Sequence, residues 1–156
     1  MKELQQKNDI YQIHFFTCPA HKPFHFAVHP WVVTVHDGKV TRWEVIHKKI
    51  EGKERYGYVY KNFYPPTQGI RKRPGSKEFW KAKRIASLSG GKGSLAEKMY
   101  TFIEEKSPHY PHREQYRLFP GPNSNTYIAW VLKHFPEAKV QLPWNAFGKN
   151  FIRLTA

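Results

Sequence analysis

The sequence predicts an α+β domain in which an antiparallel sheet packs on a central helix. Three observations lead to this prediction: a hairpin pattern around Asp37-Gly38, an amphipathic helix pattern after Ser94, and a nearly all-apolar helix pattern after Asn123. The chain has 156 residues, of which 40% are hydrophobic, and this is enough for one ordinary core. We therefore expect a single domain over residues 1–156, with a loose N-terminal segment at 1–10.

The first half of the chain predicts strands. Residues 11–17 and 24–36 are rich in aromatic and β-branched side chains, a composition typical of strands. Asp37-Gly38 separates two such runs and predicts a two-residue type I′ turn that pairs His36 with Lys39. Residues 57–60 predict another strand, and residues 67–77 predict a basic loop.

The second half predicts mainly helices. Residues 79–88 favour a short helix, and Ser94 with Glu97 has the spacing of a capping box at the start of a longer one. Residues 126–135 predict a helix that is apolar nearly all round and therefore buried. Short strands are expected at 116–119 and 139–142.

The hairpin places four chemically active side chains on one face. Counting outward from the turn puts His29 opposite Ile46 and Trp31 opposite Glu44, so that His29, Trp31, Arg42 and Glu44 share a face. Glu44 is then a diagonal neighbour of His29 and can orient its imidazole, while Trp31 and Arg42 can bind an anionic or planar ligand group. The alternative is a satisfied histidine beside a structural Arg42–Glu44 pair.

Ser124 follows a Gly-Pro turn at the start of the buried helix, and two interpretations stay open. Its hydroxyl can simply cap the helix. It can also act as a nucleophile, with His29 as base and with an oxyanion stabilised by the helix amides and by Asn123 or Asn125.

Three stretches carry a resemblance to a known family. They are His29-Pro-Trp-Val-Val through Arg42-Trp-Glu-Val, Tyr116-Arg-Leu-Phe-Pro-Gly-Pro-Asn-Ser-Asn-Thr-Tyr127, and Leu142-Pro-Trp-Asn-Ala-Phe-Gly-Lys149. From about residue 24 onward the chain resembles DUF3750, a bacterial family of unknown function marked by Gly-Pro-Asn-Ser-Asn-Thr and a later Leu-Pro-x-x-Ala-x-Gly-Lys. That family name implies no activity.

The chain is more distantly similar to circularly permuted papain-like proteins, the NlpC-type amidases and lecithin:retinol-acyltransferase-like enzymes. In those proteins a histidine on an early strand precedes an Asn-Cys-x-x-Phe helix start, and here Ser124 stands in place of the cysteine. The resemblance implies a permuted papain-like fold with His29, Ser124 and Glu44 as catalytic residues and an amide or ester acyl group as substrate. It implies substrate-binding residues at Asn123, Asn125, Thr126, Trp31 and Arg42. A catalytically inactive relative is the other outcome.

The net charge of +14 supports a rival from another class, a binding module for nucleic acid or another polyanion. Arg71, Lys72 and Arg73 are the candidate residues for it. We expect no cofactor and no metal, because Cys18 is the only cysteine and Pro23 interrupts the four-residue spacing of His21, His25 and His29. We also expect no membrane span and a cytoplasmic location, with export without a signal left open.

Overall fold

The computed structural model describes residues 9–50 and 53–152, and most of the expected loose segment at 1–10 lies outside them. The strands are β1 (Tyr11–Pro19), β2 (Val28–His36), β3 (Lys39–Ile50), β4 (Lys53–Lys61), β5 (Gln68–Arg71), β6 (Phe79–Lys81) and β7 (Lys83–Gly90). The α-helices are α1 (Leu95–Lys106) and α2 (Ser124–Lys133). The chain is thus mixed α+β, as predicted.

One antiparallel sheet of five strands, in the order β4-β3-β2-β1-β7, organises the molecule. The predicted hairpin joins β2 to β3 and pairs His36 with Lys39. Asp37 and Gly38 both have left-handed backbones, with φ of 48° and 75°, as a type I′ turn requires. The predicted turn is confirmed, and the predicted register holds as far as the Val32–Trp43 pair, where the ladder ends before the expected Trp31–Glu44 and His29–Ile46 pairs.

Strands also replace the helix that was predicted over 79–88. This segment contains β6 and β7, and β7 pairs with β1, so that Phe15 lies opposite Ala86 and Ile13 lies opposite Leu88. The helix prediction is wrong because pairing with a strand about 70 residues earlier overrides local propensity. The predicted start of the second strand at residue 24 is also wrong. Residues 21–27 form turns and bends, and β2 begins at Val28.

The two short strands expected at 116–119 and 139–142 are not strands in the structure. In the first segment Arg117 donates its backbone N–H to Pro122, and the carbonyls of Arg117 and Leu118 accept from the Asn123 side chain. Local polar contacts therefore use the groups that a ladder would need. In the second, Lys139 adopts φ of 54° where a short 3₁₀ turn ends.

The sheet separates two apolar cores. Ile13, Phe15, Val32 and Val45 point to one face, where they meet residues of α1 and α2. This helix face contains the larger cluster, and α2 packs on β2 and β3. Phe16, Cys18, Trp31, Val33 and Val35 point to the other face. Ile70 of β5 covers them, so we call this side the hairpin face.

None of the helices in the described ranges is long and apolar enough to cross a membrane.

Candidate active site

Glu44 forms the centre of a buried polar network on the hairpin face. Its Oε1 accepts a hydrogen bond from Arg42 Nε at 2.8 Å, and its Oε2 accepts from Arg42 Nη2 at 2.9 Å. His29 Nε2 lies 2.7 Å from the same Oε2. The contact expected between Glu44 and His29 is therefore present, and so is the Arg42–Glu44 pair of the alternative interpretation.

The electrostatics of this network decide which nitrogen of His29 carries a proton. Burial alone would raise the pKa of Glu44, but the hydrogen bond and charge of His29 and those of Arg42 outweigh burial and lower the pKa. Glu44 is thus ionised at neutral pH and can only accept hydrogen bonds. His29 Nε2 must then be the donor in this hydrogen bond, and Nδ1 is the ring nitrogen that does not contact Glu44.

Arg42 and Trp31 both donate hydrogen bonds to backbone carbonyls within the protein. Arg42 Nη1 donates to the carbonyls of Pro65, at 2.7 Å, and Gln68, and its guanidinium lies 3.9 Å from the centre of a Trp31 ring. Trp31 Nε1 donates to Pro66 at 2.8 Å. Both side chains are fully buried, so the structure gives them a supporting position behind Glu44. Neither of them is among the residues that line the cavity beside His29.

Asn123, and not Ser124, caps α2. Asn123 Oδ1 accepts from the backbone N–H of Asn125 at 2.9 Å and of Thr126 at 3.4 Å, and Thr126 Oγ1 accepts from Asn123 N in return. This is a complete capping box. Ser124 is the first helical residue, and its hydroxyl is not the group that satisfies the helix amides.

The capping box is held by the Leu142 to Lys149 stretch. Asn123 Nδ2 and Asn125 Nδ2 both donate to the carbonyl of Phe147, at 2.9 and 3.0 Å, and Thr126 Oγ1 donates to Gly148 at 2.8 Å. Asn125 Nδ2 also reaches Val28 O at 3.0 Å, which fixes the start of α2 against the start of β2. Asn123 and Thr126, expected to bind substrate, are thus fully engaged as structural groups.

A cavity of about 860 Å³ lies where these parts meet. His29 and Ser124 both line it, together with Asn123 and Asn125. The His29 side chain lies on the hairpin face, whereas α2 packs on the helix face. His29 belongs to the part of β2 beyond the Val32–Trp43 pair, where the β2–β3 ladder ends. The imidazole and the helix start therefore share one cavity at the end of the sheet.

Two of the helix amides expected to stabilise an oxyanion have hydrogen-bond partners inside the protein. Those of Asn125 and Thr126 already donate to Asn123 Oδ1, and the Asn125 side-chain N–H groups donate to backbone carbonyls. Asn125 Oδ1 is buried and lacks a hydrogen-bond partner within the described structure, so it offers an acceptor rather than a donor.

Sequence reasoning missed Tyr116, which also lines the cavity. Burial raises the pKa of its phenol, and contacts with the side chain and backbone of Ser124 act in the opposite direction. The phenol is therefore protonated at neutral pH and lies beside the Ser124 hydroxyl, where it can donate a hydrogen bond. Its only sequence signal was its place just before the Gly-Pro turn. His21 and His47 line the cavity as well, and the sequence did not assign either of them to the candidate active site.

The basic triplet is only partly available to a ligand. Arg71 donates to the Ser76 carbonyl and lies over the Phe79 ring, and Lys72 pairs with Glu78 at 3.8 Å, whereas Arg73 is exposed. Within residues 9–50 and 53–152, no group of three or more His, Cys, Asp or Glu side chains could hold a metal ion.

Comparisons with known proteins yield one match. No curated protein and no solved structure matches the chain. A family model described as "Protein of unknown function (DUF3750)" matches residues 11–151, which include every residue of the candidate site. The chain therefore belongs to the DUF3750 family.

Proposed function

We propose that the cavity is an acyl-transfer site that acts on an amide or an ester, as a hydrolase or an acyltransferase. Ser124 is the nucleophile, His29 is the base and Glu44 orients His29. The observation that carries this proposal is that a carboxylate-bound imidazole and a serine that does not cap its helix line the same cavity.

The reaction follows the usual order for a serine nucleophile. Ser124 Oγ attacks the acyl carbon while its proton passes to His29 Nδ1, and the bond to the leaving amine or alcohol then breaks as that group takes the proton from His29. Water, or a second alcohol or amine, releases the acyl group by the same steps in reverse. The Glu44 carboxylate stabilises the imidazolium that forms on His29. Arg42 helps to keep that carboxylate ionised and in position.

Tyr116 has the position to stabilise the oxyanion in this scheme. A protonated phenol beside Ser124 can donate to the oxygen on which negative charge develops. Tyr116 would act in place of the Asn125 and Thr126 amides, which already donate to Asn123 Oδ1. We also propose the permuted papain-like relationship, which is supported by an early histidine on the sheet and a later nucleophile at the start of a packed helix.

Labelling with a fluorophosphonate probe tests the assignment. Wild-type protein should form a covalent adduct on Ser124, the Ser124→Ala variant should form none, and Glu44→Gln should slow labelling, since it removes the carboxylate that fixes the His29 tautomer. A matched control exists in a second Ser–His contact of the sheet. Ser87 Oγ on β7 lies 2.7 Å from His14 Nδ1 on β1, and His14 Nε2 lies 2.9 Å from Gln12 Oε1.

Ser87→Ala should label as the wild type does. Loss of labelling in Ser87→Ala, or an unlabelled wild type between about pH 6 and pH 9, would contradict the proposal.

A second candidate, polyanion binding, is favoured by the net charge of +14 and by the exposure of Arg73. Such binding weakens as salt rises, because it depends on released counterions. Ser124→Ala should leave it unchanged, which separates the two functions.

A further inference from the structure

The mouth of the cavity concentrates the exposed apolar side chains of the molecule. In the described ranges seven large hydrophobic side chains are exposed. Four of them line the cavity, and the ring of a fifth, Trp144, lies 6.2 Å from that of the lining residue Phe147. These five, here called the aromatic rim, are Phe24, Phe26, Leu118, Phe119 and Trp144. The most exposed are Phe119 and Trp144, at 76% and 79%. The remaining two, Tyr58 and Phe63, form an aromatic row with Tyr60 and are not among the residues that line the cavity.

The rim forms one continuous surface although it comes from three segments of the chain. Phe147 on the cavity wall has ring centres of Phe26, Phe119 and Trp144 at 6.3, 6.4 and 6.2 Å. Phe24 extends the group, with its ring 6.3 Å from that of Phe26. A monomer seldom leaves so many large apolar side chains exposed together unless the patch has a binding function.

The backbone beneath the rim is held in place. Asn145 Nδ2 donates to Phe26 O at 3.0 Å, and Ala20 N donates to Ala27 O at 2.9 Å. The rings are therefore presented by turns whose shape is fixed by hydrogen bonds. They project from loops instead of forming a flat sheet or helix face.

Positive charge borders the same surface. Lys22 lines the cavity, and its backbone N–H donates to Lys72 O at 2.8 Å, which joins the rim to the basic loop. Arg73 and Arg117 are exposed on the adjoining segments. The chain as a whole carries a net charge of +14, so its overall attraction to an anionic surface is favourable.

We propose that the aromatic rim docks on an anionic lipid bilayer. Aromatic side chains favour the boundary between headgroups and acyl chains, and Lys and Arg near them are attracted to anionic headgroups. Docking in this way turns the apolar mouth of the cavity toward the bilayer. A protein partner would not need basic side chains beside the rim, whereas an anionic surface uses both features. The proposal holds whether or not Ser124 is a nucleophile.

Co-sedimentation with vesicles tests this docking. The protein should bind vesicles of phosphatidylglycerol mixed with phosphatidylcholine, should bind much less to phosphatidylcholine alone, and should be released as salt is raised. On the anionic vesicles the emission of Trp144, the most exposed of the rim residues, should shift to shorter wavelength. Trp144→Phe should remove that shift.

Matched variants locate the surface. Phe119→Ser with Trp144→Ser should weaken binding about tenfold or more, since a loss of about 1.4 kcal/mol is already tenfold. Tyr58→Ser with Phe63→Ser, which removes the two exposed rings outside the rim, should leave binding unchanged. Arg73→Glu should weaken binding more than Lys98→Glu on α1. Circular dichroism of each variant checks that it is folded.

Three results would overturn the proposal. The first is no binding to anionic vesicles, and the second is an equal loss in the Tyr58 and Phe63 control. The third is a stable dimer that dissociates in the rim variant, because the rim would then be an interface between two copies of the chain. Ser124→Ala should bind the anionic vesicles as the wild type does, so this test fails or succeeds separately from the labelling test of Ser124.

Discussion

Glu44 is the residue on which the geometry of the candidate site depends. It has no exposed surface, and its carboxylate accepts hydrogen bonds from both Arg42 and His29. A buried charge pair of this kind adds little net stability compared with apolar residues, but removal of one partner leaves the other charge uncompensated. Glu44 therefore couples the stability of the hairpin face to the orientation of His29.

We expect Glu44→Gln to lower the free energy of unfolding at pH 7 by about 3–5 kcal/mol, as measured by urea unfolding, because Arg42 loses its counter-charge. The pKa of Glu44 is lowered from its usual value of 4.5. Its contribution is therefore present above about pH 4.5 and is lost as the pH falls through the folded-state value. The difference between wild type and variant should shrink over that acid range.

Glu78→Gln provides the control for this prediction. Glu78 is 76% exposed and pairs with Lys72 at 3.8 Å, so its loss should cost less than about 1 kcal/mol. A Glu44→Gln variant as stable as Glu78→Gln would show that the buried network contributes no stability.

At the scale of single elements, local chemistry made some structures predictable. Asp37-Gly38 specifies a turn and hence a register, from which the shared face of His29 and Glu44 follows by counting. Ser94 likewise caps α1, accepting from Glu97 N, although the Glu97 carboxylate reaches Gly93 N instead of Ser94 N. The turn and the helix cap form from contacts between residues that are close in sequence, so the sequence was enough to predict them.

Other elements depend on contacts that are distant in sequence. Residues 79–88 became strands because β5 pairs with β6 and β1 pairs with β7. Asn123 and Ser124 are about equally good caps locally, and the choice between them is made by Phe147 and Gly148, more than 20 residues later. The cavity itself joins loops from several segments, so local sequence patterns did not assign Tyr116 or the aromatic rim to it.

The contact between Gly148 and Asn123 gives a prediction for α2. Gly148 has φ of +103°, and a Cβ there would lie 2.3 Å from Asn123 Oδ1. Gly148→Ala should therefore disrupt the capping box and destabilise the protein well beyond backbone strain alone, which is of order 1–3 kcal/mol. Urea unfolding measures the loss.

Gly75→Ala is the matched control, because Gly75 has φ of +77° and open space around its Cα. It carries a comparable backbone strain without the clash. Equal destabilisation of the two variants would mean that the close approach of Gly148 to Asn123 does not matter for folding.

At the scale of the whole molecule, one sheet supports both cores. β1 and β2 send Ile13, Phe15 and Val32 to the helix face and Phe16, Cys18 and Trp31 to the hairpin face. Loss of packing on either face should then loosen strands that the other face needs. We infer that the two cores unfold together.

Cys18 reports on this cooperativity. Burial raises the pKa of its thiol to about 12, and Ile70 N donates to its sulfur at 3.4 Å, so a thiol reagent at pH 8 should react only after the structure opens. Ile128→Ala on the opposite face should cost about 2–5 kcal/mol and, if unfolding is cooperative, should speed labelling of Cys18 by roughly 30-fold or more. Unchanged labelling would instead mean that β5 and β6 detach on their own, which would leave Glu44 and Arg42 exposed to solvent without unfolding of α2.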